Sequence, residues 1–368
     1  VTPLLLFQVF SFITGTMIGS FLNVVIYRLP IGKSVNEPSR SFCPLCEKPI
    51  PFYRNIPLVS WLVLRGKCAE CGGRIPFRYF FVELLTGLLF LAVFRQCAAA
   101  DQFAPLLPLW VFVSLMISAT FIDFDHFIIP DEITLGGTAA GLVAATLVPG
   151  LVGASTHWEG FLWSAIGAGL GFGLLWGVVE LGKLAFGRKK LAFDPAADFT
   201  WKRKEDDADF AVGDESMLWS DIFSRESDLL LMKVRDPRLD GRPLGESTLR
   251  FHYNRLLLPE KEVPLESVGV ISGKVSEIVI PREAMGFGDV KFIACIGAFL
   301  GWKAVLFTVV AASVVGSVVG VLLLLARRRD ASGRIPFGPY LALGALLWVF
   351  CGPEIVTWYQ TMLVPAPY

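Results

Sequence analysis

Charge is what this sequence is short of. Only 18% of its 368 residues are charged, against about a quarter in a typical soluble domain. The 33 basic and 33 acidic residues cancel, which removes any global electrostatic case for binding nucleic acid. Histidine is scarcer still. His126, His157 and His252 are the only three, and no serine–histidine or cysteine–histidine arrangement offers itself for nucleophilic catalysis. A glycine-rich dinucleotide fingerprint is also missing. What the chain has in abundance is apolar residues, 54% of the total, gathered into long uncharged runs between densely charged segments. That segregation excludes a single water-soluble globule and predicts an all-α polytopic membrane protein.

A membrane-crossing helix needs about 20 mostly apolar residues. Candidate spans cover 4–26, 80–100, 106–122, 133–152, 161–186, 304–326 and 340–358. An eighth, 290–300, is short by that rule, but the run from 290 to 326 is too long for one helix and long enough for a hairpin turning at 301–303. The first span does not read as a cleavable signal peptide, because no basic residue precedes it and Arg28 and Lys33 follow it. Segment 27–78 holds nine basic residues and 188–289 holds sixteen, with Arg327, Arg328, Arg329 and Arg334 in the next charged segment. With eight spans, all of these fall on one side, which the positive-inside rule makes the cytoplasm, leaving both termini outside. The glycine pairs Gly15/Gly19, Gly169/Gly173 and Gly316/Gly320 read as close helix–helix contacts.

Four of the seven cysteines make a pattern: Cys43-x-x-Cys46, then 21 residues, then Cys68-x-x-Cys71. Two such knuckles suit tetrahedral Zn²⁺, each pair chelating through neighbouring thiolates. Disulfides or a redox pair are the alternative, disfavoured by cytoplasmic placement. A closed four-thiolate site leaves no position for water, so the zinc would be structural. Gly66, Gly72 and Gly73 provide tight turns. Cys97, Cys295 and Cys351 lie in apolar runs and read as packing residues.

Ionisable residues in or at the ends of spans are costly and default to function. The third span runs into Asp123-Phe-Asp125-His126 and on to Pro130-Asp131, and the sixth is entered through Gly286-Phe-Gly288-Asp289-Val-Lys291. On the topology above, Asp123 and Asp289 both lie at cytoplasmic helix ends and can share one depth. Two carboxylates in one partly desolvated site do not both ionise readily; one ionised and one protonated group make a general base and a general acid for water attack on a carbonyl. Asp131, after Pro130 at the start of the fourth span, reads as a helix cap. Asp125 and His126 read as solvated, and Glu180 and Lys183 as an inner-surface pair or snorkelling side chains.

Several stretches together resemble the type IV prepilin peptidases, members of the GxGD intramembrane aspartyl proteases. They are 19–30 (GSFLNVVIYRLP), the two cysteine knuckles, Asn55-Ile-Pro, 64–68 (LRGKC), Arg78-Tyr, Glu83-Leu-Leu-Thr-Gly, Asp123 to Asp131, and Gly286 to Lys291. The resemblance covers 4–187 and 284–350. It implies a bifunctional enzyme of the bacterial inner membrane that cleaves the leader of type IV prepilins and type II secretion pseudopilins after a glycine, on the cytoplasmic side. The same enzyme then methylates the new N-terminal amine, usually of phenylalanine, with S-adenosylmethionine. Carried over by position, Asp123 and Asp289 are the catalytic aspartates, Asp123 chosen over Asp125 by its seven-residue distance from Pro130. Cys43, Cys46, Cys68 and Cys71 match the metal-binding cysteines of the domain linked to methylation. Gly286, Gly288, Lys291 and Glu83 are candidate substrate contacts, Glu83 for the prepilin or its amine. The methyl-donor site is not readable.

The expected organisation is a first span (1–26), a zinc domain (27–78), spans two to five (79–187), an inserted cytoplasmic module (188–284) and spans six to eight (285–368). The module departs from the family pattern by roughly 95 residues and reads as β-rich, with strands at 248–253, 268–271 and 275–280 and a hairpin turn at Ser272-Gly273. It gates access, binds a partner, or is a tolerated insertion. Two other functions stay open: an intramembrane aspartyl protease with other substrates, which the cysteine domain and the 19–30 stretch disfavour, and a non-enzymatic transporter or scaffold, which expects acids nearer the bilayer midplane.

Overall fold

The computed structural model describes residues 3–37, 41–43, 45–186, 188–204, 207–223, 229–258, 261–281, 286–326 and 336–363. The four arginines expected between the last two spans lie outside this set. Two compact units emerge: residues 1–176 with 286–368, and residues 177–285.

The first unit is helical. Long apolar runs form α1 (Pro3–Arg28), α3 (Phe77–Ala99), α4 (Leu106–His126), α6 (His157–Phe186), α7 (Phe287–Leu325) and α8 (Gly338–Leu363), while α2 (Val59–Val63) is a short helix in the cysteine segment. These six long helices have the length and apolarity to cross a membrane. The fourth expected span falls short of that measure: α5 (Asp131–Leu147) has 17 residues and gives way to a 3₁₀ turn at Pro149–Val152. The expected hairpin near 301–303 appears as a break inside α7, where Gly301 adopts φ 78° and ψ 177°, a conformation open to glycine and strained for other residues. Six helices therefore meet the criterion among the described residues, where eight spans were expected.

Close approach is built on small residues. A Cβ on Gly15 would lie 2.8 Å from Cα of Gly87, and one on Gly19 would lie 2.7 Å from Cα of Glu83, so α1 and α3 pack almost backbone to backbone. On α6 the contact runs through Gly167 and Gly171, whose added Cβ atoms would lie 2.4 Å from the carbonyl oxygen of Gly297 and 2.8 Å from that of Ile293. The hydroxyl of Ser164 donates to the carbonyl of Ala298 on the same face (2.5 Å). The expected pair Gly169/Gly173 instead has open space beside it. A spacing of four recurs in this glycine-rich helix in more than one register, and spacing alone does not select the register that faces α7.

Among the described residues, the second unit holds a nine-stranded antiparallel sheet in the order β3-β2-β1-β9-β4-β6-β7-β8, with β5 paired to β4. Its strands are β1 (Arg188–Arg203), β2 (Ala208–Val212), β3 (Glu215–Leu218), β4 (Leu230–Leu239), β5 (Arg242–Pro243), β6 (Thr248–His252), β7 (Arg255–Leu257), β8 (Glu262–Pro264) and β9 (Val270–Pro281). Alternate residues turn inward, as a half-buried strand requires: Phe199 and Trp201 on β1, Leu230 and Met232 on β4, Leu249 and Phe251 on β6 join one core around Trp219. The expected strand at 248–253 corresponds to β6. The expected turn at Ser272-Gly273 does not form, since β9 runs straight through it. A Cβ on Gly273 would lie 3.0 Å from the Phe199 ring and 3.1 Å from Cα of Pro237, and β4 shifts register between Arg235 and Arg238 opposite it. The glycine accommodates a close approach beside a bulge.

Candidate active site and cysteine module

Three helix ends converge around two carboxylates. Asp123 sits in the last turn of α4, which ends on Phe127 in the left-handed conformation (φ 55°). Asp289 sits in the first turn of α7. Both are buried, at 5% and 8% exposure, and close enough to interact electrostatically. The third end belongs to α8, where the backbone N–H of Gly338 donates to Oδ2 of Asp123 (3.0 Å). The unsatisfied N–H groups of a helix N-terminus suit a carboxylate.

Glycine is required at this junction. A Cβ on Gly338 would lie 2.7 Å from Oδ2 of Asp123 and 2.9 Å from Cδ1 of Ile129, and one on Gly288 would lie 3.3 Å from the backbone nitrogen of Ile129. Buried Ile129 (6% exposed) is thus held between the two glycines that begin α7 and α8. Gly286 borders Asp289 itself, its added Cβ falling 3.6 Å from Oδ2. Sequence reading missed Gly338. The signal was there in Pro336-Phe337-Gly338-Pro339, a helix-start pattern, but nothing in it points to Asp123.

The neighbouring charges are already engaged. Lys291 pairs with Asp131 (2.6 Å) and lies over the Phe287 ring. Asp131 therefore ties the starts of α5 and α7 together, where a helix cap was expected; α5 has no side-chain cap. Asp125 is exposed, in keeping with the expectation, and pairs with Arg78 at the start of α3. His126 is exposed.

The cysteine module is a second site. Each knuckle is a tight turn closed by a residue with positive φ four positions after its first cysteine, Glu47 (φ 56°) in one and Gly72 (φ 70°) in the other. In these turns the N–H of Glu47 donates to the carbonyl of Cys43 and that of Gly72 to the carbonyl of Cys68. The turns bring Cys43, Cys46, Cys68 and Cys71 together, with all four Sγ atoms within 4.8 Å of one another. The Cys43–Cys71 sulfur separation is 3.9 Å, near the ~3.8 Å edge of a tetrahedron with Zn–S bonds of about 2.3 Å. Backbone N–H groups of Cys71 and then Glu70 lower the Cys68 thiol, while its neighbour Cys71 is raised, as expected when adjacent thiols share their protons. Four thiolates at this spacing could hold zinc.

Between this module and the facing sides of α1 and α3 lies a cleft of ≈ 190 Å³. Its walls carry apolar and aromatic side chains, Tyr27, Trp61, Tyr79 and Phe80 among them, four basic residues (Arg28, Lys48, Arg54 and Arg74) and, among the described residues, two carboxylates, Glu70 and Glu83. Glu83 accepts the N–H of Leu58 (2.7 Å) and a hydrogen bond from Ser20, which anchors the residue preceding α2.

Comparison with known proteins places these features in context. Residues 13–97 match the bacterial peptidase A24 N-terminal domain, and residues 110–202 and 255–321 match the type IV leader peptidase family. A prepilin leader peptidase/N-methyltransferase of Myxococcus xanthus is 31% identical over 365 residues, covering 98% of this chain and 77% of that protein. One from Aeromonas hydrophila is 32% identical over 374 residues, covering 95% and 92%. A third, from Pseudomonas aeruginosa, is 26% identical over 378 residues, covering 96% and 94%. No solved structure matches.

Proposed function

The chain belongs to the type IV leader peptidase family, and on that premise we propose that it is a bifunctional prepilin leader peptidase and N-methyltransferase of the bacterial inner membrane. The observation that carries the reading is the meeting of two buried carboxylates, Asp123 and Asp289, at helix ends from distant parts of the chain. As the catalytic dyad they divide the work of general base and general acid: the ionised carboxylate takes a proton from water as it attacks the scissile carbonyl, and the protonated one donates to the carbonyl oxygen. Proton transfer to the leaving amine then releases the leader. The N–H of Gly338 fixes one oxygen of Asp123 and leaves the other for water. No covalent intermediate with the enzyme is formed.

Substrate geometry agrees. A prepilin has a charged leader and an apolar stem, so its scissile bond lies where the stem leaves the membrane. With eight spans, counting α5 and the two halves of α7 separately, the basic segments all face the cytoplasm, and the dyad lies at the cytoplasmic ends of α4 and α7. Gly286 and Gly288, ahead of Asp289, let an extended peptide approach closely, with Lys291 beside them.

In the second activity, S-adenosylmethionine supplies a methyl group carried on a positively charged sulfur. The chain's part is to hold the substrate amine and to keep water out. The aromatic cleft beside the cysteine module suits such a ligand. Cys43, Cys46, Cys68 and Cys71 would hold a structural Zn²⁺ that keeps the module folded. Cleavage of a prepilin by Asp123→Asn and Asp289→Asn variants tests the reading: both should lose it while the protein still accumulates in the membrane. Cleavage persisting in both refutes the dyad.

A further inference from the structure

Among the carboxylates that face unit 1's cleft, Glu83 differs in its company. Glu70, on the opposite wall, is paired with Arg54 (2.9 Å) and Lys48 (3.4 Å). Glu83 is half-buried, and its partners, the N–H of Leu58 and Ser20, are neutral. No ion pair among the described residues includes it. Arg28 lines the same cleft and donates through Nη1 to the carbonyls of Ser34 and Val35, with no ion pair to Glu83 among the described residues, and Arg74 on the lining is exposed. A carboxylate removed from bulk water without a counter-charge is costly. Two neutral donors fill part of its capacity, since a carboxylate has about four acceptor positions. Glu83 lines the cleft together with Tyr27, Trp61, Tyr79 and Phe80, and aromatic faces attract cations. Trp61 is held rigidly, its indole N–H donating to the carbonyl of Ile75 (3.3 Å) and its ring packed on Phe77 and Phe80. Asn23, 5% exposed, lines the same cleft and donates to the carbonyl of Tyr79 (3.0 Å). Its amide oxygen is a further acceptor on that wall.

We propose that this cleft binds the positively charged centre of a ligand, with Glu83 as its counter-charge and the aromatic walls around it. The inference rests on the methyl-transfer reading, because methylation of an amine brings together two such centres: the sulfonium of S-adenosylmethionine and the ammonium of the cleaved substrate. Each has a neutral counterpart that keeps its shape, S-adenosylhomocysteine for the first and an N-acetylated peptide for the second. Glu83 acts as a binding residue in either case, and the two sources differ in which pair of ligands it discriminates.

Calorimetric titration of the full chain in detergent tests the proposal. Four probes are used: S-adenosylmethionine, S-adenosylhomocysteine, a leaderless pilin peptide with a free amine, and its acetylated form. The wild type is expected to favour the charged member of one pair on the order of tenfold, the worth of a hydrogen-bonded charge. Glu83→Gln, which still accepts from Leu58, should bring that pair to parity and leave the neutral member's affinity unchanged. Ile56→Lys, which puts a competing ammonium on the cleft wall, should do the same without touching Glu83. Metal content and the thermal midpoint report that each variant folds. Loss of preference for the sulfonium assigns the cleft to the methyl donor; loss for the amine assigns it to the substrate. Preference surviving both substitutions in both pairs, or absent from the wild type in both, overturns the proposal. A wild type that methylates while both variants keep their preferences refutes the cleft alone. A wild type that neither binds S-adenosylmethionine nor methylates refutes the methyl-transfer reading beneath it.

Discussion

Replacing Gly338 with alanine should impair cleavage without unfolding the protein. The added Cβ would lie 2.7 Å from Oδ2 of Asp123, 3.3 Å from its Cγ and 2.9 Å from Cδ1 of Ile129. Unbonded heavy atoms sit comfortably at about 3.5 Å, so the carboxylate or the start of α8 must yield by more than half an ångström. The Ile129 methyl can swing aside. Asp123 cannot do so freely, because the residue that carries the new methyl also donates its N–H to that oxygen at 3.0 Å. Overpacking of this kind costs about 1–3 kcal/mol, and a hydrogen bond to a charged acceptor is worth about 1.5–3 kcal/mol. If the bond is kept by moving the carboxylate, the cost falls on its aim at the water. Either way the expected loss in the cleavage step is about 10- to 100-fold, since 1.4 kcal/mol is a factor of ten. Single-turnover cleavage with enzyme in excess reads the step directly. Gly136→Ala on α5, where the new Cβ meets nothing within 4 Å, is the control. Cleavage by Gly338→Ala within twofold of wild type refutes the role given to this helix end.

Removing one thiolate, as in Cys71→Ser, should lower bound zinc and the thermal midpoint together, because metal binding in such modules is folding energy of about 10 kcal/mol or more; unchanged metal content with unchanged stability contradicts the four-thiolate site. Gly167→Ala should destabilise the helical unit by about 1–3 kcal/mol through a Cβ 2.4 Å from the carbonyl of Gly297, whereas Gly169→Ala should not, having open space. Equal effects in a denaturation series would remove the assigned register. In the sheet, the hydrogen bond and charge of Lys233 hold the Glu277 carboxyl below the usual carboxylate range. Stability from this pair is present above the unfolded-state pKa and is lost as pH falls through the lower folded value. Lys233→Met should flatten that acid-side dependence of the thermal midpoint, and an unchanged pH profile argues against the linkage.

The legible parts of the fold were those encoded in composition over a long window. Apolar runs announced α1, α3, α4, α6 and α8 because a lipid-facing helix needs nothing more specific. The cysteine spacing was readable because two knuckles carry their own turn geometry, and β6 was readable from its alternation. Asp123 and Asp289 stand out as acids at the ends of apolar runs. What brings them together was not legible: Gly338 reaches Asp123 from 215 positions away, and no local pattern encodes a contact of that span. The same limit explains three misreadings. Spacing alone points to Gly169 and Gly173 where the contact runs through Gly167 and Gly171, Asp131 reads as a cap while its partner is Lys291, and Ser272-Gly273 reads as a turn where β9 continues. In each case a neighbour distant in sequence outweighed a sound local signal. Gly273 is the plainest instance, since the bulge in β4 that makes it useful cannot be seen from β9.

The central claim is that two aspartates from different helices form one hydrolytic site in an enzyme that also methylates its product. Mass spectrometry of a prepilin co-expressed with the wild type, Asp123→Asn or Asp289→Asn tests it most directly. With the wild type, the account predicts a pilin shortened at the leader and heavier by one methyl group. With either variant, it predicts the uncut precursor. A shortened product in both variants contradicts the dyad, and a shortened but unmethylated product with the wild type contradicts the second activity.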